Sequence, residues 1–158
     1  MLKIRRYRPE DNKVVKELHF AGIEQMRGDP LVAKISRPAS HDADLDDIER
    51  VYFEGGDFIV GLEGDEIVAM GAFKKRSPEC AELKRLRTRP DKQRKGYGEQ
   101  ISKKLIELAK KMGYTEAFLD TLTTNYRSQA LAEKLGFKET GRGMRGPYHL
   151  IYYEKKLE

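Results

Sequence analysis

Two glycines one residue apart, behind two cations and ahead of a regular apolar pattern, make Gln93-Arg94-Lys95-Gly96-Tyr97-Gly98-Glu99-Gln100 the stretch of this sequence best suited to chemistry. Glycine lets a backbone turn tightly and approach another group closely. A helix starting just behind such a turn offers N–H groups that lack intrahelical partners, and its dipole favours a negative ligand. The ligand expected is a phosphate. The spacing excludes two standard nucleotide sites. A dinucleotide fold would put a third glycine at position 101, which is Ile101, and a P-loop would read Gly-Lys-Ser/Thr where this chain has Gly98-Glu99-Gln100.

The elements that must position this turn follow from apolar periodicity. Leu2 to Tyr7 predicts a strand, and Pro9-Glu10-Asp11 opens a helix with Val14, Val15, Leu18, Gly22 and Ile23 on one face. Gly28 to Ser40, with two prolines, has no clear period, and Asp44-Leu45-Asp46-Asp47 reads as the acidic start of a short helix. Asp57 to Leu62 and Ile67 to Lys75 flank the turn Glu63-Gly64-Asp65 as a hairpin, and Glu79 to Arg89 continues the meander. Behind the glycines, Ile101, Leu105, Leu108 and Met112 predict a helix stopped by Gly113. Glu116 to Thr121 then reads as a strand, Arg127 to Leu135 as a helix ended by Gly136, and Tyr148 to Lys156 as a closing strand. The fold class expected is α/β: a central mixed, mostly antiparallel sheet of about six or seven strands with about four helices, the turn lying at a strand–helix–strand crossover where open sheets bind ligands.

A chain of 158 residues fits one domain, 1–158. Its net charge of +5 favours an anionic partner. Nucleic acid is disfavoured, because the cations are dispersed among 26 acids with no stripe interleaved with aromatics. The single Cys80 excludes an internal disulfide framework and suits a reducing cytoplasm, while His19, His41 and His149 lack the spacing of metal ligands, so no metal is expected. The N-terminus has no signal-peptide core, and no apolar run approaches the ~20 residues that span a bilayer, so the expected protein is soluble and free of the membrane.

Gln93 to Gly98 resembles the acyl-CoA signature of the GNAT family of N-acetyltransferases, Gln/Arg-x-x-Gly-x-Gly/Ala at a strand-to-helix turn. Asn125-Tyr126-Arg127-Ser128 through Glu133-Lys134-Leu135-Gly136-Phe137 resembles its second signature, and Ala81 to Pro90 its fourth strand. The resemblance is specific from Glu82 to Phe137; outside that it rests on element order.

This resemblance implies a domain that binds acetyl-CoA and acetylates an amine. The cofactor's diphosphate would lie on the N–H groups of Gln93, Arg94, Lys95, Gly96, Tyr97, Gly98 and Glu99, with Arg94 and Lys95 adding charge and Gly98 leaving room for phosphate oxygens. The pantetheine arm would bond the main chain of Leu86 and Thr88, with Arg87 between them pointing away, and Asn125 and Ser128 would lie near the thiol end. The resemblance nominates Glu82 as general base and the Leu86 N–H as oxyanion donor; a strand glutamate facing solvent or paired with Lys84 is the alternative. Where many members carry a tyrosine that protonates the departing thiolate, this chain has Ala132, and Tyr126, Tyr148, Tyr152 and Tyr153 stand as replacements with none selected. A CoA-binding sensor without turnover is the competing reading. The amine acceptor, small molecule or protein, is unidentified, and a homodimer is left open. Asp42, Asp44, Asp46 and Asp47 either draw a cationic acceptor or serve as ordinary helix-start acids.

Overall fold

The computed structural model describes residues 2–26 and 39–158, so most of the proline-bearing stretch expected to be irregular lies outside the described residues. The chain runs from β1 (Lys3–Arg6) through a 3-10 turn (Pro9–Asp11) into α1 (Asn12–Met26). A 3-10 segment (Ala39–Asp46) precedes α2 (Ile48–Tyr52), the hairpin of β2 (Asp57–Glu63) and β3 (Glu66–Lys75), and β4 (Cys80–Thr88). A further 3-10 turn (Pro90–Lys92) leads to α3 (Tyr97–Lys111), β5 (Glu116–Leu122), α4 (Tyr126–Lys134), β6 (Lys138–Arg145) and β7 (Tyr148–Lys156). One seven-stranded sheet has the order β1-β2-β3-β4-β5-β7-β6. All its neighbours are antiparallel except β4 and β5, which the α3 crossover makes parallel. This is the mixed α/β architecture read from the sequence. No helix of the described residues is long and apolar enough to cross a membrane.

Alternation along β3 divides the core. Ala69 and Phe73 face α3 and α4 with Leu83, Ile101, Leu105, Ala132 and Tyr153, whereas Met70 and Ala72 face α1 and α2 with Val15, Leu18, Tyr52 and Phe58. Gly71 sets how closely α3 lies on the sheet, since a Cβ there would be 2.6 Å from Ile101 Cγ2 and 2.9 Å from both Leu105 Cδ1 and Leu86 Cδ2.

Two local readings are corrected. The acids at 44, 46 and 47 do not open a helix with their carboxylates: the segment to Asp46 is 3-10, and Asp47, at the start of α2, makes no side-chain cap bond. The physical reason is competition, because Asp44 bonds Arg85 and Tyr52, Asp46 bonds Lys16 and Asp47 bonds Arg50. Met112, expected on the inner face of α3, lies past its last helical residue and is 47% exposed. Gly113, at φ +96°, is the stop.

In β4, Met70 faces Arg87 but Ala72 faces Lys84, so Arg85 and Leu86 together oppose the single residue Gly71. Arg85 takes the left-handed conformation at φ 57°, costly for a residue with a side chain. Two hydrogen bonds to Asp44, at 2.9 and 2.6 Å, hold it there. This bulge decides which main-chain groups of β4 face the site.

Candidate active site

After the 3-10 turn at Pro90–Lys92 the chain is extended at Gln93, left-handed at Arg94 (φ 65°) and left-handed again at Gly96 (φ 81°). Alternation of this kind turns successive N–H groups towards one point, an arrangement that suits an anion. The first intrahelical bond of α3 runs from Gln100 N–H to Gly96 O, so the N–H groups of Tyr97, Gly98 and Glu99 have no acceptor within the helix. A Cβ on Gly98 would make ordinary contacts with Leu131 Cδ2 (3.5 Å) and Thr88 Oγ1 (3.8 Å). Alanine therefore fits at 98, and only larger side chains would fill the gap between β4 and α4.

The side chains of the turn divide into anchors and open cations. Glu63, at the end of β2, accepts from Lys92 (2.6 Å) and from the Tyr97 hydroxyl, and it lies 3.7 Å from Lys95. The hydrogen bonds from Lys92 and Tyr97 pull its carboxyl down to about 2. Tyr97 is thus an anchor whose ring is buried, and Lys95 is partly neutralised. Glu99 bridges Lys103 (3.0 Å) and Lys134 (2.9 Å), fastening α3 to α4 with its carboxylate. Only the main chain of Tyr97 and Glu99 remains to meet a ligand. Glu63 was missed in the sequence, where it read as a turn residue; only the sheet order brings β2 beside this turn.

β4 and β5 pair from Cys80 with Glu116 to Glu82 with Phe118, and beyond those residues they part. Arg89 N–H donates to Val68 O at 2.8 Å and Arg87 lies opposite Met70. Alternation then turns the main-chain groups of Leu86 and Thr88 away from β3, into the fork. The Arg87 side chain runs the other way, against α1, where a Cβ on Gly22 would be 2.8 Å from Arg87 Cδ. Asn125 is engaged locally: its Oδ1 accepts from Ser128 N–H at 3.2 Å and caps α4. These features fit coenzyme A, a diphosphate facing the left-handed turn and an amide-bearing arm facing the fork.

Glu82 stands at the last paired rung of the fork. Its ion-pair partner is Arg76, at 3.8 Å, where the sequence offered solvent or Lys84 as the alternatives to a role as base; Arg76 also stacks 3.5 Å above the centroid of the Phe118 ring. Of the four tyrosines, Tyr126 is 75% exposed at the start of α4 and Tyr153 is buried in the core, where desolvation raises its phenol pKa. Tyr148 is also buried, and Tyr152 lies against Phe118, its ring centroid 5.8 Å away. Ala132 is buried within the main core.

The wall on the α1 side is a polar network. His19 is fully buried, and its Nε2 lies 2.6 Å from Asp42 Oδ1. Burial first, then the charges of Arg87 and Arg85, lower the imidazole pKa from 6.5 to about 4, against the opposing pull of Asp42. The ring is neutral at neutral pH, so Nε2–H donates to the carboxylate. The unfolded chain takes up a proton near 6.5 and the folded one only near 4, so stability attributable to His19 is complete above about 6.5 and falls as pH drops towards 4. Comparing urea midpoints at neutral pH and near pH 4.5, the unmodified protein should lose about 2 kcal/mol more than His19→Gln. Parallel losses in the two proteins would refute this account of the histidine.

Comparison with known proteins bears on the family and the fold. Residues 23–137 match the family model described as the acetyltransferase (GNAT) family. Among curated proteins, the chain is 29% identical over 92 residues to YvbK of Bacillus subtilis, named an uncharacterized N-acetyltransferase, covering 58% of this chain and 59% of that one. It is 31% identical over 106 residues to human N-acetyltransferase 8, covering 63% and 47%. The chain spans about half the length of the curated relatives it matches. Among solved structures, a GNAT-family acetyltransferase of Staphylococcus aureus superposes with a TM-score of 0.82 at 19% identity, covering 100% of both chains. The yncA protein of Salmonella typhimurium, solved with its cofactor acetyl-CoA, has a TM-score of 0.79 at 18% identity, covering 100% of this chain and 95% of that one. With a family model matched across most of its length and the fold and turn in agreement, the chain belongs to the acetyltransferase (GNAT) family.

Proposed function

We propose that the protein is an N-acetyltransferase of the cytoplasm that passes the acetyl group of acetyl-CoA directly to a primary amine while both substrates are bound. The observation that carries this reading is the fork: β4 and β5 pair only as far as Glu82 and Phe118, and the outward main-chain groups of Leu86 and Thr88 line the gap beyond. A ligand arm entering there can pair with β4 as an added strand. Acetyl-CoA, when bound, would supply the thioester whose acetyl group is transferred, with CoA leaving as the thiolate.

This chain's own residues supply the rest. The N–H groups of the turn from Gln93 to Glu99 hold phosphate, with Arg94 and Lys95 adding charge. The Leu86 N–H donates to the oxygen on which negative charge develops. An ammonium has no lone pair, so the acceptor must lose a proton, and Glu82 at the apex of the fork takes it. A thiol with a pKa near ~8.5 leaves tolerably as thiolate, so the reaction proceeds without a tyrosine at position 132.

The reading is supported by the names of the curated relatives and by the acetyl-CoA in the Salmonella structure. CoA should stabilise the fold by ~2.7 kcal/mol at a hundredfold excess over its dissociation constant. Gly98→Trp should abolish most of that shift, whereas Gly98→Ala should keep it. Thermal melts with CoA, followed by thiol release from acetyl-CoA across an amine panel, test binding and turnover separately. A melting temperature unmoved by millimolar CoA would end the proposal.

A further inference from the structure

Arg127, the second residue of α4, donates through Nη1 to Gln93 Oε1. The Gln93 amide is itself shared: Nε2 donates to Thr88 O at 3.3 Å and to Gln25 Oε1 at 2.8 Å, while Gln25 Nε2 donates back to Gln93 Oε1 at 2.9 Å. The Arg127 side chain is therefore drawn from α4 to the phosphate-facing turn, and it ends on a neutral oxygen. The neighbouring cations end on carboxylates: Arg89 on Asp91 (2.7 Å), Lys92 and Lys95 on Glu63 (2.6 and 3.7 Å), Lys134 on Glu99 (2.9 Å). Among the described residues, Arg94 and Arg127 are the cations bordering this turn with no carboxylate within ion-pair distance.

We propose that Arg127 is a further ligand for the phosphate groups of the cofactor, held beside the turn by Gln93 until a phosphate replaces that amide. The proposal rests on the CoA reading given above. A guanidinium on an amide oxygen has its hydrogen bond but keeps its charge uncompensated, and a charge-assisted bond to phosphate is roughly twice as strong as a neutral one. Arg127 is exposed and caps nothing, so its replacement should leave the fold intact.

The test is calorimetric binding of CoA and of dephospho-CoA, which lacks the 3′-phosphate, to the unmodified protein, Arg127→Ala and Arg127→Lys, each at low and high salt. Arg127→Ala should bind CoA about tenfold more weakly, the size of one charge-assisted contact, with Arg127→Lys between the two. Its affinity should also fall less steeply with salt, because one screened charge pair is gone. A loss seen equally with dephospho-CoA supports a diphosphate contact, and a loss confined to CoA supports the 3′-phosphate. CoA binding within twofold of the unmodified protein, or a weakening with unchanged salt dependence, overturns the assignment. Absence of CoA binding by the unmodified protein overturns the cofactor reading itself, and this assignment with it.

Discussion

Glu82→Gln is expected to lower turnover by roughly 10²- to 10⁴-fold, the contribution of one general base, while leaving CoA affinity unchanged. Glutamine keeps the size and hydrogen-bonding shape of the side chain but cannot accept a proton from an ammonium at working pH. The fold has little reason to object. Glu82 has a single ion-pair partner among the described residues, Arg76 at 3.8 Å, and Arg76 retains its seat over the Phe118 ring when that charge is lost. Steady-state rates on an accepted amine, with CoA binding measured in parallel, decide the matter. A variant that turns over at the original rate would show that Glu82 is a structural partner of Arg76 and that water or another group removes the proton.

Asp44→Ala is expected to destabilise the protein by about 3–5 kcal/mol, because it breaks a buried ion pair by removing one partner. The Arg85 and Asp44 side chains are 13% and 17% exposed, and they meet through two hydrogen bonds of 2.9 and 2.6 Å. Asp44 also accepts from the Tyr52 hydroxyl. Without Asp44 the guanidinium loses its bidentate carboxylate, while Asp42 stands at 4.0 Å, and the left-handed backbone at Arg85 loses two of the bonds that hold it. The double variant Asp44→Leu with Arg85→Met removes both charges and should recover much of the loss. Urea unfolding of the single and double variants tests this: a single variant within 1 kcal/mol of the unmodified protein on that scale would contradict the buried-pair account.

What could be read from the sequence was what short-range patterns encode. Period-2 and period-3.6 apolar spacing located the helices and every strand but β6, whose exposed residues carry no apolar alternation, and Gly96 and Gly113 marked turn positions because glycine adopts left-handed backbone readily. What could not be read is carried by long-range pairs. The bulge in β4 contains no glycine; it is held by an ion pair between residues 41 positions apart, invisible to any local pattern. The acids at 44 and 46 looked like helix-start residues for the same reason, since their partners Arg85 and Lys16 come from β4 and α1, whereas Asp47 is taken up locally by Arg50. Lys84 stood beside solvent as an alternative surrounding for Glu82 because residues two apart share a strand face. Such residues are about 7 Å apart along the strand, and Arg76, at the β3–β4 connection, comes nearer. At the candidate site the turn and the outward residues of β4 were legible, whereas the anchoring carboxylate Glu63 and the Gln25–Gln93–Arg127 contacts needed the sheet order to bring their segments together.

Gly71 belongs to neither the turn nor the fork, yet it touches the machinery of both. The space its absent methyl group leaves is filled from one side by Ile101 and Leu105 of α3 and from another by Leu86 of β4. In mechanical language it is a shim of minimum thickness between the helix that presents N–H groups and the strand that presents the Leu86 main chain. The separation between those two surfaces is thereby gauged from inside the core, and on the function proposed above it sets the reach of the acyl carrier that touches both at once. Retuning the protein for a carrier of different reach would begin at residue 71, where an added Cβ meets Ile101, Leu105 and Leu86.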